Sequence, residues 1–150
     1  MSVPLGLGSR RLDHLGLVAG MYDELGVGEL LDELIDQDHE RRTVSVGQAV
    51  KAMVLNGLGF TNRTLYLATQ FFRNRPTERL IAPGIEPEHL HDDTLGRALD
   101  ELYAYDVTLL YSLISAQAVE RLGLQGGTAH LDATCFHLHG AYPGDDQSRT

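Results

Sequence analysis

The sequence is as informative for what it lacks as for what it holds. It has one cysteine, Cys135, so no disulfide can form within the chain. That absence points to a reducing compartment, the cytoplasm, with Cys135 serving as a small hydrophobe. No apolar run approaches the ~20 residues of a membrane span, and MSVPLGLGSRR at the N-terminus has no charged region followed by a long apolar stretch and a cleavage site. Neither membrane insertion nor export is expected. There is no internal repeat and no low-complexity tract.

What is present is globular: 43% hydrophobic and 22% charged residues in 150, enough for one ordinary core and too few for two complete domains. The net charge of -9 argues against a uniformly basic nucleic-acid coat. The charge is unevenly spread, however. Residues 1–42 hold four arginines against nine acids, and residues 83–150 hold three arginines against eleven acids. Between them, residues 43–82 carry Lys51, Arg63, Arg73, Arg75 and Arg79 against Glu78 alone. Positive charge is concentrated in one central stretch.

Hydrophobic spacing predicts a succession of helices. The first runs from His14 to Leu25 and breaks at Gly26 and Gly28; the second runs from Glu29 to Ile35. Ser45 is the expected N-cap of a third helix ending near Asn56 and Gly57, and Thr61 or Asn62 caps a fourth that Pro76 ends. A helical turn around Glu78–Ile81 follows. Asp92 or Asp93 is expected to cap a helix through Leu102, and the last helix runs from Val107 to Leu122 with Gly123 as its stop. After Gly126 and Gly127 the pattern alternates from Thr128 to His139, which suits a strand. A single strand cannot satisfy its own edges. The expected organisation is therefore a helical domain over residues 1–125 and, over 126–150, the start of a sheet-containing domain.

Three constellations could carry chemistry. The helix pair from Ser45 to Phe72 could present its second helix to a DNA groove, with Asn62, Arg63, Tyr66, Gln70 and Arg73 on its polar side and Arg75, Arg79 and Lys51 extending the basic area. Arginine suits phosphate or guanine, and asparagine and glutamine can read adenine. An ordinary helical hairpin with a solvated basic face accounts for the same residues. Asp132, in HLDAT, shares a strand face with His130 and Thr134; a carboxylate there can ligate Mg²⁺, or it can be an exposed edge or capping residue. His89, His91, Asp92 and Asp93, with His130, His137 and His139, offer zinc-type ligands at spacings that match no standard zinc pattern; a helix cap and exposed imidazoles account for them.

Four segments taken in order, LDHLGLVAGMYDELGVGELLDELI, VSVGQAVKAMVLNGLGFTNRTLYLATQFF, DDTLGRALDELY and LDATCFHLHG, resemble the N-terminal half of insertion-sequence transposases of the DDE class. The resemblance implies a mainly α chain: a multi-helix N-terminal domain, followed by the first strand or strands of a truncated RNase H-like α/β domain. It implies that Asp132 is the first of three metal-binding acids. With an aspartate and a glutamate from further along a complete chain, that residue would hold two Mg²⁺ ions for phosphodiester hydrolysis and strand transfer. Asp145 and Asp146 follow too closely to stand in for those acids. The chain is thus expected to bind or organise the terminal repeats of a mobile element without catalysing alone. An alternative is a helical protein–protein module assembling transposase subunits, as a homo-oligomer or with a downstream transposase polypeptide. A nuclease that borrows its missing acids from such a polypeptide is a third reading.

Overall fold

The computed structural model describes residues 12–37, 42–58 and 67–124. The described chain is mainly helical, with no strand among those residues. Its elements are α1 (Asp13–Glu24), α2 (Val27–Leu34), α3 (Val46–Gly57), α4 (Ala68–Arg73), α5 (Thr77–Leu80), a 3₁₀ turn at Pro87–His89, α6 (Asp92–Tyr105) and α7 (Val107–Arg121). The strand expected over 128–139, and with it the RNase H-like start, lies outside the described residues.

Helix α3 is the hub, touching α1, α2, α4 and α6, while α7 lies against α6 and α2. The core draws on every helix: Leu15 from α1, Leu31 from α2, Leu55 from α3, Phe71 and Phe72 from α4, Leu80 from α5, Leu95 from α6 and Leu110 from α7 are all buried. Phe71 and Phe72 meet edge to face, with ring centroids 4.9 Å apart. Burial of each such side chain is worth about 1.5–3 kcal/mol, enough for two aromatics to fix a helix of only six residues.

The start of α3 is the best-satisfied point of the structure. Ser45 closes a reciprocal capping box with Gln48. Asp32 of α2 accepts from the Ser45 hydroxyl at 2.6 Å and from the Gly47 N–H at 2.7 Å, and Gln37 accepts from the Val46 N–H at 2.9 Å. The first N–H groups of a helix have no partner within the helix, so these side chains supply what the backbone cannot. The helices also meet here at two glycines: a Cβ on Gly47 would lie 2.3 Å from the Gly28 carbonyl oxygen and 2.7 Å from its Cα. Gly28, expected as a break, therefore sits inside α2 to permit this approach, and the break falls at Gly26 alone, so α2 starts at Val27 rather than Glu29.

Two ionisable groups are drawn into the interior beside that junction. The Tyr22 hydroxyl donates to the Gly47 carbonyl at 2.8 Å, and burial, with Asp32 and Asp23 nearby, pushes its phenol well above the usual range. Lys51 is 4% exposed, with its ammonium 2.7 Å from both Asp23 oxygens and 3.2 Å from the Ile81 carbonyl.

The α6 cap differs from expectation. His91, not Asp92 or Asp93, is the N-cap, its Nδ1 accepting from the Thr94 N–H. The two aspartates become first-turn residues, where their charge favours the helix dipole. Gly123 (φ +61) does stop α7: its N–H bonds to Glu120 O and that of Leu124 to Val119 O, the paired closure that needs a left-handed residue. Gln117 and Arg121 then clasp α7 to the α1–α2 corner, Gln117 donating to the Leu25 and Gly26 carbonyls and Arg121 to that of Glu24.

Candidate nucleic-acid interface

Of the eight residues that the sequence puts at a DNA surface, Asn62, Arg63 and Tyr66 lie outside the described residues, as does the expected helix start at Thr61 or Asn62. The other five separate into two kinds. Gln70, Arg73 and Arg79 are exposed. Gln70 and Arg73 stand one turn apart on α4, three residues being close to one helical period. Arg79 comes from the last turn of α5, and it and Arg73 line one groove of about 550 Å³ with Pro76, Glu78, Glu86 and Glu88. Pro76 makes the corner, because a ring at that point ends α4 and turns the chain into α5.

Lys51 and Arg75 are engaged with the fold itself. The Lys51 ammonium is spent on Asp23 and Ile81, as described, and does not reach the surface. Arg75 folds back over α4: its guanidinium stacks 3.7 Å from the centroid of the Phe71 ring and donates to the Phe71 carbonyl. That closes the C-terminal end of α4 with a cation, where the helix dipole is negative.

Acids temper the groove's charge. Arg73 faces Glu88 at 3.3 Å, both exposed, and Glu78 accepts from the Gly84 N–H at 3.1 Å. An exposed ion pair of this kind is weak, so a phosphate can replace Glu88 on Arg73 at little cost.

A second cleft, of about 380 Å³, adjoins the first and shares Glu88 as a wall. Arg42, His89 and Arg97 line it, with Val44, Ala49 and Ala98 as its apolar floor. Arg42 comes from the lead-in to α3, His89 from the 3₁₀ turn and Arg97 from α6, so the cleft exists only because α3 and α6 pack together. Arg42 makes a two-pronged pair with Glu101 of α6, through Nη1 at 2.9 Å and through Nη2. Residue-by-residue charge counting missed these groups, since Arg42 and Arg97 sit in the two net-acidic parts of the sequence.

The histidine–acid group is brought together in part. His91, Asp92 and Asp93 place ligand atoms within 4.8 Å of one another, all exposed. His91 is already occupied as a cap and the acids complement a helix terminus, so their proximity follows from α6 alone. His130, His137 and His139 lie outside the described residues. So does Asp132, for which the resemblance implies Mg²⁺, and no catalytic step is assigned to it. No helix among the described residues is long and apolar enough to cross a membrane.

These helices have a family. Residues 7–116 match the domain of unknown function DUF4277, and the chain belongs to that family. No curated protein and no solved structure was found to be similar.

Proposed function

We propose that this helical domain binds DNA, as the N-terminal part of a DDE-class insertion-sequence transposase, and holds or recognises the ends of the element. The observation that carries the reading is the α4–α5 corner, where Gln70, Arg73 and Arg79 stand exposed together in the one net-basic stretch of an otherwise acidic chain. The transposase resemblance supports it by supplying the kind of nucleic acid. Such a surface would anchor phosphates with its arginines, and Gln70 is the residue able to read a base edge.

The test is binding to short DNA duplexes, with and without the terminal repeats flanking the gene, across a salt series. Affinity is expected to fall with salt. Arg73→Ala and Arg63→Ala should each weaken binding and lower the log–log salt slope by about 0.9, one phosphate contact apiece. Absence of binding even at low salt would reject the proposal.

A second reading has its own support. Most of the large apolar side chains exposed among the described residues lie between Leu99 and Leu124, with Tyr103 82% and Tyr111 73% exposed. Exposed apolar surface of that extent, spread over α6 and α7, suits assembly with other transposase subunits. Light scattering with and without DNA separates the two: an oligomer formed without DNA favours assembly, and a monomer that binds DNA favours the first reading.

A further inference from the structure

We propose that the cleft between Arg42 and Arg97 is a phosphate seat, taking a backbone phosphate of the same duplex that lies against Arg73 and Arg79. The inference rests on the DNA-binding reading for the source of the phosphate, and on the cleft's own chemistry for the seat.

Donors converge on the cleft from three elements. Arg97 is exposed, lines the cleft, and makes no hydrogen bond or ion pair with any described residue. Arg42 gives two of its five N–H groups to Glu101, which holds its guanidinium in place and leaves donors over. His89 accepts from the Glu86 N–H at Nδ1, 3.1 Å away, so its neutral ring must carry its proton on Nε2, as a donor. Thr43 adds an exposed hydroxyl at the mouth. A planar guanidinium fixed by a carboxylate, beside a free one and an N–H donor, matches the tetrahedral oxygens of a phosphate better than it matches an apolar or cationic ligand.

Glu101 is committed to Arg42 and Glu88 faces Arg73; Asp93 and Asp100 stand one turn either side of Arg97 on α6, but neither pairs with it, so Arg97 is the guanidinium of the lining without an ion pair among the described residues. The start of α3 beside the cleft contributes nothing, because Asp32, Gln37 and Ser45 already take its N–H groups. Glu88 borders both grooves, so the two lie side by side: Arg79 and Arg73 line one, and His89, Arg42 and Arg97 line the other.

Two measurements on the full chain test this. In the first, inorganic pyrophosphate is titrated while the imidazole resonances of His89 and the guanidinium resonance of Arg97 are followed. Both should shift, and Arg97→Ala should abolish the His89 response. In the second, duplex binding is measured across salt. Arg97→Ala should lower affinity several-fold and the salt slope by about 0.9, and Arg97→Lys, which keeps the charge, should restore the slope. Unmoved resonances together with a wild-type slope in Arg97→Ala overturn the seat while leaving DNA binding through Arg73 intact. Pyrophosphate binding at His89 and Arg97 without duplex binding upholds the seat, assigns it to a free phosphate compound, and overturns the DNA reading instead.

Discussion

Helix α3 carries a single charge, Lys51, and α7 only two, Glu120 and Arg121, yet the two helices are treated in opposite ways by the rest of the molecule. Helix α3 is surrounded on several sides: seven of its twelve residues are buried, its N–H groups are capped by side chains from α2 and the following loop, and it meets α2 glycine to glycine. Helix α7 buries only Leu110, and its apolar content is spread around the axis, so that Val107, Tyr111 and Val119 remain in solvent. Low charge in a helix therefore has two meanings here. In α3 it marks the centre of a core, and in α7 it marks a helix with more apolar surface than the described residues cover. The best-satisfied contacts are concentrated at the α2–α3 junction, and the surfaces proposed for recognition lie on the periphery.

The contrast can be broken most severely at Gly47. Gly47→Ala should destabilise by about 3 kcal/mol, the upper end of overpacked cores, because the atoms in the way are the backbone of Gly28 and cannot rotate aside. The check is the denaturant midpoint, and a wild-type midpoint would show that α2 and α3 separate freely. Tyr22→Phe, at the same junction, removes the hydrogen bond to Gly47 and should cost about 1 kcal/mol. Because the fold raises the Tyr22 phenol, the neutral ring's contribution is intact below the ordinary value of 10.0 and is lost as pH rises above it. Wild-type protein should thus lose stability in alkali more steeply than Tyr22→Phe, as followed by thermal melts at rising pH; parallel curves would deny the link.

Lys51→Met probes the boundary between core and interface. Asp23 stays solvated when its partner goes, so stability should change by less than about 1 kcal/mol. Affinity for duplex DNA should stay at the wild-type value, in contrast to Arg73→Ala, and a matching loss in both variants would return Lys51 to the interface. The smallest effect is expected at Tyr111. Tyr111→Ser should leave the melting curve within about 0.5 kcal/mol of wild type, since the ring is solvated already. If α7 assembles subunits, the same change should reduce self-association seen by light scattering.

Much of the helical order was legible in the residues. The Ser45 cap stands three residues before Gln48, ahead of an apolar run; Gly123 follows the last periodic residue; Pro76 interrupts α4. Aspartate outranks histidine as a cap in general, and only the placement of Nδ1 against Thr94 shows that His91 takes the role. Lys51 looked like part of a basic surface because charge was counted along the chain. The clue against it was local: a twelve-residue helix with no other charge has no face to give to water. The meeting of Arg42, His89 and Arg97 is beyond reach for another reason, since no spacing rule brings together residues whose proximity is made by helix packing, and His89 stands out in the sequence only as a metal-type ligand.

The clasp at the C-terminal end of α7 separates two kinds of boundary. The stretch matched to the family ends at residue 116, whereas Gln117 and Arg121, just past it, hold the carbonyls of Leu25, Gly26 and Glu24. A protein cut at 116 would uncover the corner between α1 and α2 and leave the Glu24 and Leu25 carbonyls to water, while that of Gly26 keeps its bond from the Leu30 N–H. The contacts that close the helical bundle accordingly reach past the stretch matched to the family. Tension applied beyond Arg121 would be delivered, through that side chain, to the opposite end of the polypeptide.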